Sequence, residues 1–173
     1  MVDGGGAADA VAFSRDVVLD GRRRFDLRVT VAWVDGFGLS LWAYYGAEGM
    51  EIPRRVIVRM LRANFEYAFV KFALTDDDRP MLVTELPAEG VDRDGLARAL
   101  VRMTIVADRL LDETAAAVVD RGSLPDWSTR VGRNDALLDA YRADVEATMP
   151  AWEPAPVKAR RRGIIERLMR PER

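Results

Sequence analysis

Between Phe25 and Tyr45 the chain alternates with a period of two. Phe25, Leu27, Val29, Val31 and Trp33 are interleaved with Asp26, Arg28, Thr30 and Ala32. After Asp35-Gly36 and Gly38, Leu39, Leu41, Ala43 and Tyr45 are interleaved with Ser40, Trp42 and Tyr44. Period two places one set on one face of a pleated strand, and the glycines between the runs supply a tight reversal. No helix accommodates that pattern. A preceding run, Val11 to Asp20, ends at the turn dipeptide Asp20-Gly21, so three antiparallel strands in a meander are expected.

The pattern then changes to a helical one. Pro53 fits the first position of a helix, where its missing N–H costs nothing, and Val56, Ile57, Met60 and Leu61 form its apolar stripe. Residues 67–74 read as a fourth strand, Asp76-Asp77-Asp78-Arg79-Pro80 as a hairpin loop, and 81–86 as the return strand. Asp92 can cap a long helix with Leu96, Leu100, Met103, Ala107 and Leu110 on one side, ended by Gly122. A further helix is expected over 134–149. The order βββ-α-ββ-α predicts an α+β fold, a five-stranded antiparallel sheet covered by helices on one face. Residues 1–12 read as a flexible N-terminus, 13–149 as the domain, and 150–156 as a Pro-punctuated linker. Residues 157–173 read as a basic amphipathic tail helix that extends the fold.

Composition narrows function more than fold. The 173 residues contain neither His nor Cys, which removes the usual general base, thiol nucleophiles and the commonest metal ligands. Ser14, Ser40, Ser123 and Ser128 lack a base partner. Asp76-Asp77-Asp78 lacks the ligand spacing of a calcium loop, and Gly36-Phe37-Gly38 does not open a helix as a phosphate loop would. No catalytic residue, metal site or cofactor is therefore expected, and the chain reads as a binding protein, not an enzyme.

Seven of the 26 basic and two of the 28 acidic residues fall in 157–173, which leaves 1–156 at net −7 and the tail at net +5. An acidic domain repels a phosphate backbone, so nucleic acid is not an expected partner. No apolar run reaches the length of a membrane span, and the first residues lack the basic and apolar regions of a signal peptide, so a cytoplasmic protein is expected. Arg outnumbers Lys 24 to 2, the mark of a GC-rich coding sequence and hence of a bacterial source. In the tail, Ile164, Ile165, Leu168 and Met169 share a helical face flanked by Arg160 and Arg161. This face suits docking to a protein partner, with weak contact to a membrane surface as another outlet.

The segment Leu61-Arg62-Ala63-Asn64-Phe65-Glu66-Tyr67-Ala68-Phe69-Val70-Lys71-Phe72-Ala73-Leu74 resembles the YbjN and type III secretion chaperone-like (Tir chaperone-like) proteins. There a helix ends in Leu-x-x-Asn and leads into a Lys-Phe-Ala-Leu strand. The likeness spans roughly 13–121 and is strongest over 56–112. The resemblance implies a homodimeric, chaperone-like module that binds a protein client, with a seam over 53–74. The N-terminal helix usual in that group has no counterpart in residues 1–12. The surface expected to meet a second copy or a client comprises Trp42, Tyr44, Ile57, Leu61, Tyr67 and Phe69. The alternative is a scaffold or adaptor that docks into a larger assembly through its tail.

Overall fold

A computed structural model describes residues 11–46, 52–118 and 130–151, with backbone alone at 112, 113 and 115–118. The tail residues Arg160, Arg161, Ile164, Ile165, Leu168 and Met169, and the helix stop at Gly122, lie outside the described residues. The elements run β1 (Val11–Leu19), β2 (Leu27–Val34), β3 (Gly38–Tyr44), α1 (Arg54–Glu66), β4 (Lys71–Leu74), β5 (Pro80–Pro87), α2 (Arg93–Val118) and α3 (Asp135–Ala147). The five strands form one antiparallel sheet in the order β1-β2-β3-β5-β4. The fold is α+β, as the alternation requires.

The buried alternate residues identify the inner face. Leu27, Val29 and Val31 of β2, Leu39, Leu41 and Ala43 of β3, and Leu82 of β5 join one core with Val56 and Met60 of α1 and Leu100, Met103 and Leu110 of α2. Helix α2 is buried on a second side as well. There Val101 and Ile105 pack on Leu138 and Val145 of α3. The helices thus add two layers on one side of the sheet. Gly38, at φ 135°, closes the β2–β3 reversal, and a Cβ on it would lie 2.3 Å from the Leu86 carbonyl oxygen, so only glycine fits.

Several boundaries differ from the sequence pattern by a few residues. Strand β2 begins at Leu27 and not at Phe25, because Asp26 adopts a left-handed φ of 56°. Pro53 caps α1 from outside and is not its first helical residue. Strand β4 begins at Lys71 and not at Tyr67, because the Tyr67 N–H is spent on the Ala63 carbonyl (2.8 Å) and Phe69 turns left-handed at φ 68°. Helix α3 is shorter by a residue at its start and two at its end, with Asn134 outside as its cap.

Two buried carboxylates tie the loop after β1 to the helices. Asp108 of α2 accepts the backbone N–H groups of Arg22 (2.8 Å), Arg23 (3.0 Å) and Arg24 (2.8 Å). Gly21 makes room for this approach, since a Cβ there would lie 2.3 Å from Asp108 Oδ1. Asp20 accepts the N–H groups of Asp26 (2.9 Å) and Arg133 (3.1 Å) and pairs with the Arg133 guanidinium at 3.0 Å. Burial pushes the Asp20 carboxyl up, but those N–H groups and the charges of Arg133 and Arg130 outweigh it and hold the group below its ordinary range. Asn134 sends its side chain to the Asp20 N–H (2.7 Å) and carbonyl (3.1 Å) and not to its own helix.

Candidate protein-binding surface

Helix α1 carries more apolar surface than its own core contact uses. Val56, Met60 and Ala63 are buried. Beside them Ile57, Leu61 and Phe65 follow at i, i+4 and i+8, a second ridge on the helix. Ile57 is half-buried, Leu61 is 52% exposed and Phe65 98% exposed. Ile57 and Leu61 line a shallow apolar groove with Phe72, Leu74 and Pro80, so the ridge continues across the helix onto the edge of the sheet.

The C-terminal end of α1 is fastened to that edge by two side chains. Asn64 accepts the Phe72 N–H at 2.7 Å and donates to the Phe72 carbonyl at 3.0 Å, the pair of bonds that a neighbouring strand would make. Its amide closes the free edge of β4 at this residue and discourages strand addition there. Lys71 folds back, its ammonium donating to the carbonyls of Asn64 (2.7 Å) and Tyr67 (3.1 Å). A cation on the last carbonyls of a helix is also favoured by the helix dipole.

The connection between α1 and β4 exposes a second aromatic group, after Phe65. Phe69 is 65% exposed on a left-handed backbone, which is costly for a bulky residue. Its carbonyl accepts the Thr84 hydroxyl, and the Arg102 guanidinium lies 4.9 Å from its ring. Burial, with the nearby charge of Arg98, lowers the Arg102 pKa.

The outer face of the sheet holds the other aromatic pair. Trp42 is half-buried opposite Val83, and Tyr44 is exposed opposite Met81, with the Arg79 guanidinium stacked 3.8 Å from its ring. Leu39, Leu41 and Ala43 point inward, as the alternation requires.

The structure therefore brings Ile57 and Leu61 together on one face, places Phe69 nearby on the connection to β4, and leaves Trp42 and Tyr44 on the outer face of the sheet. Tyr67 is a correction. It is 3% exposed and belongs to the core, because the residue that caps α1 must turn inward where the chain reverses toward β4. Burial pushes its hydroxyl up, against the hydrogen bond and charge of Arg109. Phe65 and Leu74 lie within the expected seam of 53–74 but were not singled out in it. The signal for Phe65 was present in the sequence, as the third member of the 57–61–65 row. The Asp76–Asp78 segment closes as a turn, with the Asp78 N–H on the Thr75 carbonyl (2.9 Å) and the Thr75 N–H on the Arg79 carbonyl (3.1 Å). Among the described residues no group of three or more acidic side chains is placed to hold a metal ion.

No family model matches the chain, and no curated protein matches it. A solved structure, that of the heterodimeric complex ExoU-SpcU from the type III secretion system of Pseudomonas aeruginosa, is similar to it. The likeness covers 56% of this chain and 79% of the other, with 22% sequence identity and a TM-score of 0.43. Among the described residues no helix is long and apolar enough to cross a membrane.

Proposed function

We propose that the chain is a chaperone-like protein-binding module that works as a homodimer, with a second copy seated on the Ile57–Leu61–Phe65 ridge and the adjoining groove at Leu74. The observation that carries this reading is the ridge itself. A phenylalanine 98% exposed beside a leucine 52% exposed, continuous with an apolar groove, is a surface that association would remove from water.

Charge favours a second copy as the occupant. The hairpin Asp76–Asp78 follows β4 past Leu74, which lies beside Ile57 near the start of α1. When two α1 ridges cross antiparallel about a two-fold axis, each acidic hairpin runs along the later half of the other helix. Arg62 is exposed there. The same patch then serves both copies, as a two-fold interface requires. A ridge at i+4 spacing packs naturally against its own copy. The Asn64 amide, by closing the strand edge, directs association to side chains and not to the backbone.

Sedimentation equilibrium at tens of micromolar tests the reading. The wild-type chain should sediment as a dimer. Leu61→Asp and Phe65→Ser should each shift it to monomer with the melting temperature of the domain nearly unchanged, since both side chains are exposed. A monomeric wild type, or dimers indifferent to both substitutions, would reject it.

A further inference from the structure

Helix α2 carries a second surface that the α1 ridge does not use. Arg98 and Arg102 stand one turn apart on it, and both are half-buried. The Arg102 guanidinium lies 4.9 Å from the Phe69 ring, and the Arg98 guanidinium lies 5.7 Å from the ring of Tyr141 on α3. A strip Phe69–Arg102–Arg98–Tyr141 thus runs from the connection after α1, over α2, to α3.

What the strip lacks is an acceptor. Among the described residues neither guanidinium makes a hydrogen bond or an ion pair, and each meets an aromatic ring instead. The carboxylates close by in sequence are turned to other groups. Asp94, one turn before Arg98, accepts the Tyr141 hydroxyl at 2.6 Å, and Glu66, just before the connection, is held by Arg59 at 3.0 Å. Like charges at i, i+4 repel. Burial withdraws water from Arg102 without an anion to replace it, and burial and the charge of Arg98 together lower its pKa.

Phe69 supplies the second observation. A bulky residue at φ 68° is strained, and with 65% of it in water the residue recovers little of that cost within the fold. Glycine would hold the same backbone freely.

We infer that this strip binds an acidic peptide segment with an apolar side chain beside its carboxylates. The carboxylates pair with Arg98 and Arg102, whose planar forks suit them, and the apolar side chain covers Phe69. Four helical residues advance about 6 Å. Alternate residues of an extended peptide share one face about 6.6 Å apart, so two carboxylates separated by one residue span both guanidinium groups. Charge favours a peptide over a nucleic acid. Residues 1–156 carry net −7, which opposes a long polyanion running beyond the strip but acts little on two carboxylates seated upon it. The inference rests on the chain's being a protein-binding module and not on its being a dimer.

The test is isothermal titration of the full chain with the acetylated, amidated peptide Phe-Glu-Ser-Glu-Phe. The comparisons are the same peptide with Gln or with Lys in place of Glu, and oligothymidylate. The acidic peptide should bind saturably and at least tenfold tighter than each of the others. Arg98→Gln and Arg102→Gln should each weaken it at least tenfold, and Arg98→Glu combined with Arg102→Glu should transfer the preference to the lysine peptide. Phe69→Gly should weaken binding at least threefold with the melting temperature held, because it relieves the backbone and removes a mostly exposed ring. Leu61→Asp, which breaks the dimer where the ridge forms it, should bind the peptide as the wild type does, so failure of one reading is distinguishable from failure of the other. Absence of saturable binding at millimolar peptide, equal binding of the glutamine peptide or of oligothymidylate, normal binding by Phe69→Gly, or loss of binding in Leu61→Asp would overturn the assignment.

Discussion

Replacing Asp108 with Ala removes one side chain and releases three hydrogen bonds at once. The carboxylate receives N–H groups at 2.8, 3.0 and 2.8 Å, and bonds to a charged acceptor contribute about 1.5–3 kcal/mol each. Two effects reduce the sum. The released N–H groups are only partly buried and recover some hydration, and the folded state no longer desolvates a carboxylate that is 8% exposed. A loss of about 3–5 kcal/mol follows, a large share of the roughly 5–15 kcal/mol that holds a typical domain together. Asp108→Asn should cost about half as much. Its remaining oxygen can still accept from Arg23 and Arg24, while its NH₂ faces the Arg22 N–H. The assay is urea unfolding at pH 7 followed by tryptophan fluorescence, with Trp33 packed against the core as reporter. The midpoint should fall with the slope unchanged, so that the shift reads as stability. Hydrogen exchange should accelerate first at the amides of residues 22–24. An Asp108→Ala loss below about 1 kcal/mol would show that the loop holds its shape without this carboxylate, and the reasoning would fail.

Two more substitutions and one ligand test follow from the same geometry. Asp20 has a folded pKa below its unfolded value of about 3.9. Its contribution is therefore complete above that unfolded value and is lost as pH falls through the lower folded value. Asp20→Asn should be less stable than wild type at pH 5–7, and the gap should narrow below pH 4. Urea midpoints across pH 2.5–7 that keep a constant gap would refute this. Asn64→Ala removes both bonds to Phe72 and should cost about 1–3 kcal/mol, with hydrogen exchange at Phe72 raised well above that of β3. Unchanged protection of Phe72 would mean that the edge is held otherwise. Added calcium or a chelator should leave the melting temperature where it is, because Asp76–Asp78 form a hydrogen-bonded turn. A clear calcium-dependent rise would contradict that.

The sheet was legible because its signal is local. Alternation between Leu27 and Tyr45 and the glycines between the runs specify two strands and their reversal without reference to the rest of the chain. The same holds for α1, whose stripe and following strand lie within twenty residues of each other. Asp108 was not legible. In sequence it is one of several acids on a long helix, and its role depends on a loop 84–86 residues away. Asp20 and Asn134 meet across 114 residues, and no periodicity records such a bond. The position of Tyr67 failed for a related reason. Strand alternation was extended through residues that the chain uses to cap a helix, so its inward turn was set by the Ala63 carbonyl and not by pleating. Local order and long-range polar contacts therefore divide the work. Apolar periodicity specifies which layers form, while Asp20 and Asp108 specify how the loop after β1 sits against α2 and α3. A variant that keeps every apolar residue but loses both carboxylates should retain the sheet and lose the shape of the loop after β1. Hydrogen exchange at the amides of residues 22–24 reads that difference directly, while far-ultraviolet circular dichroism would stay nearly constant.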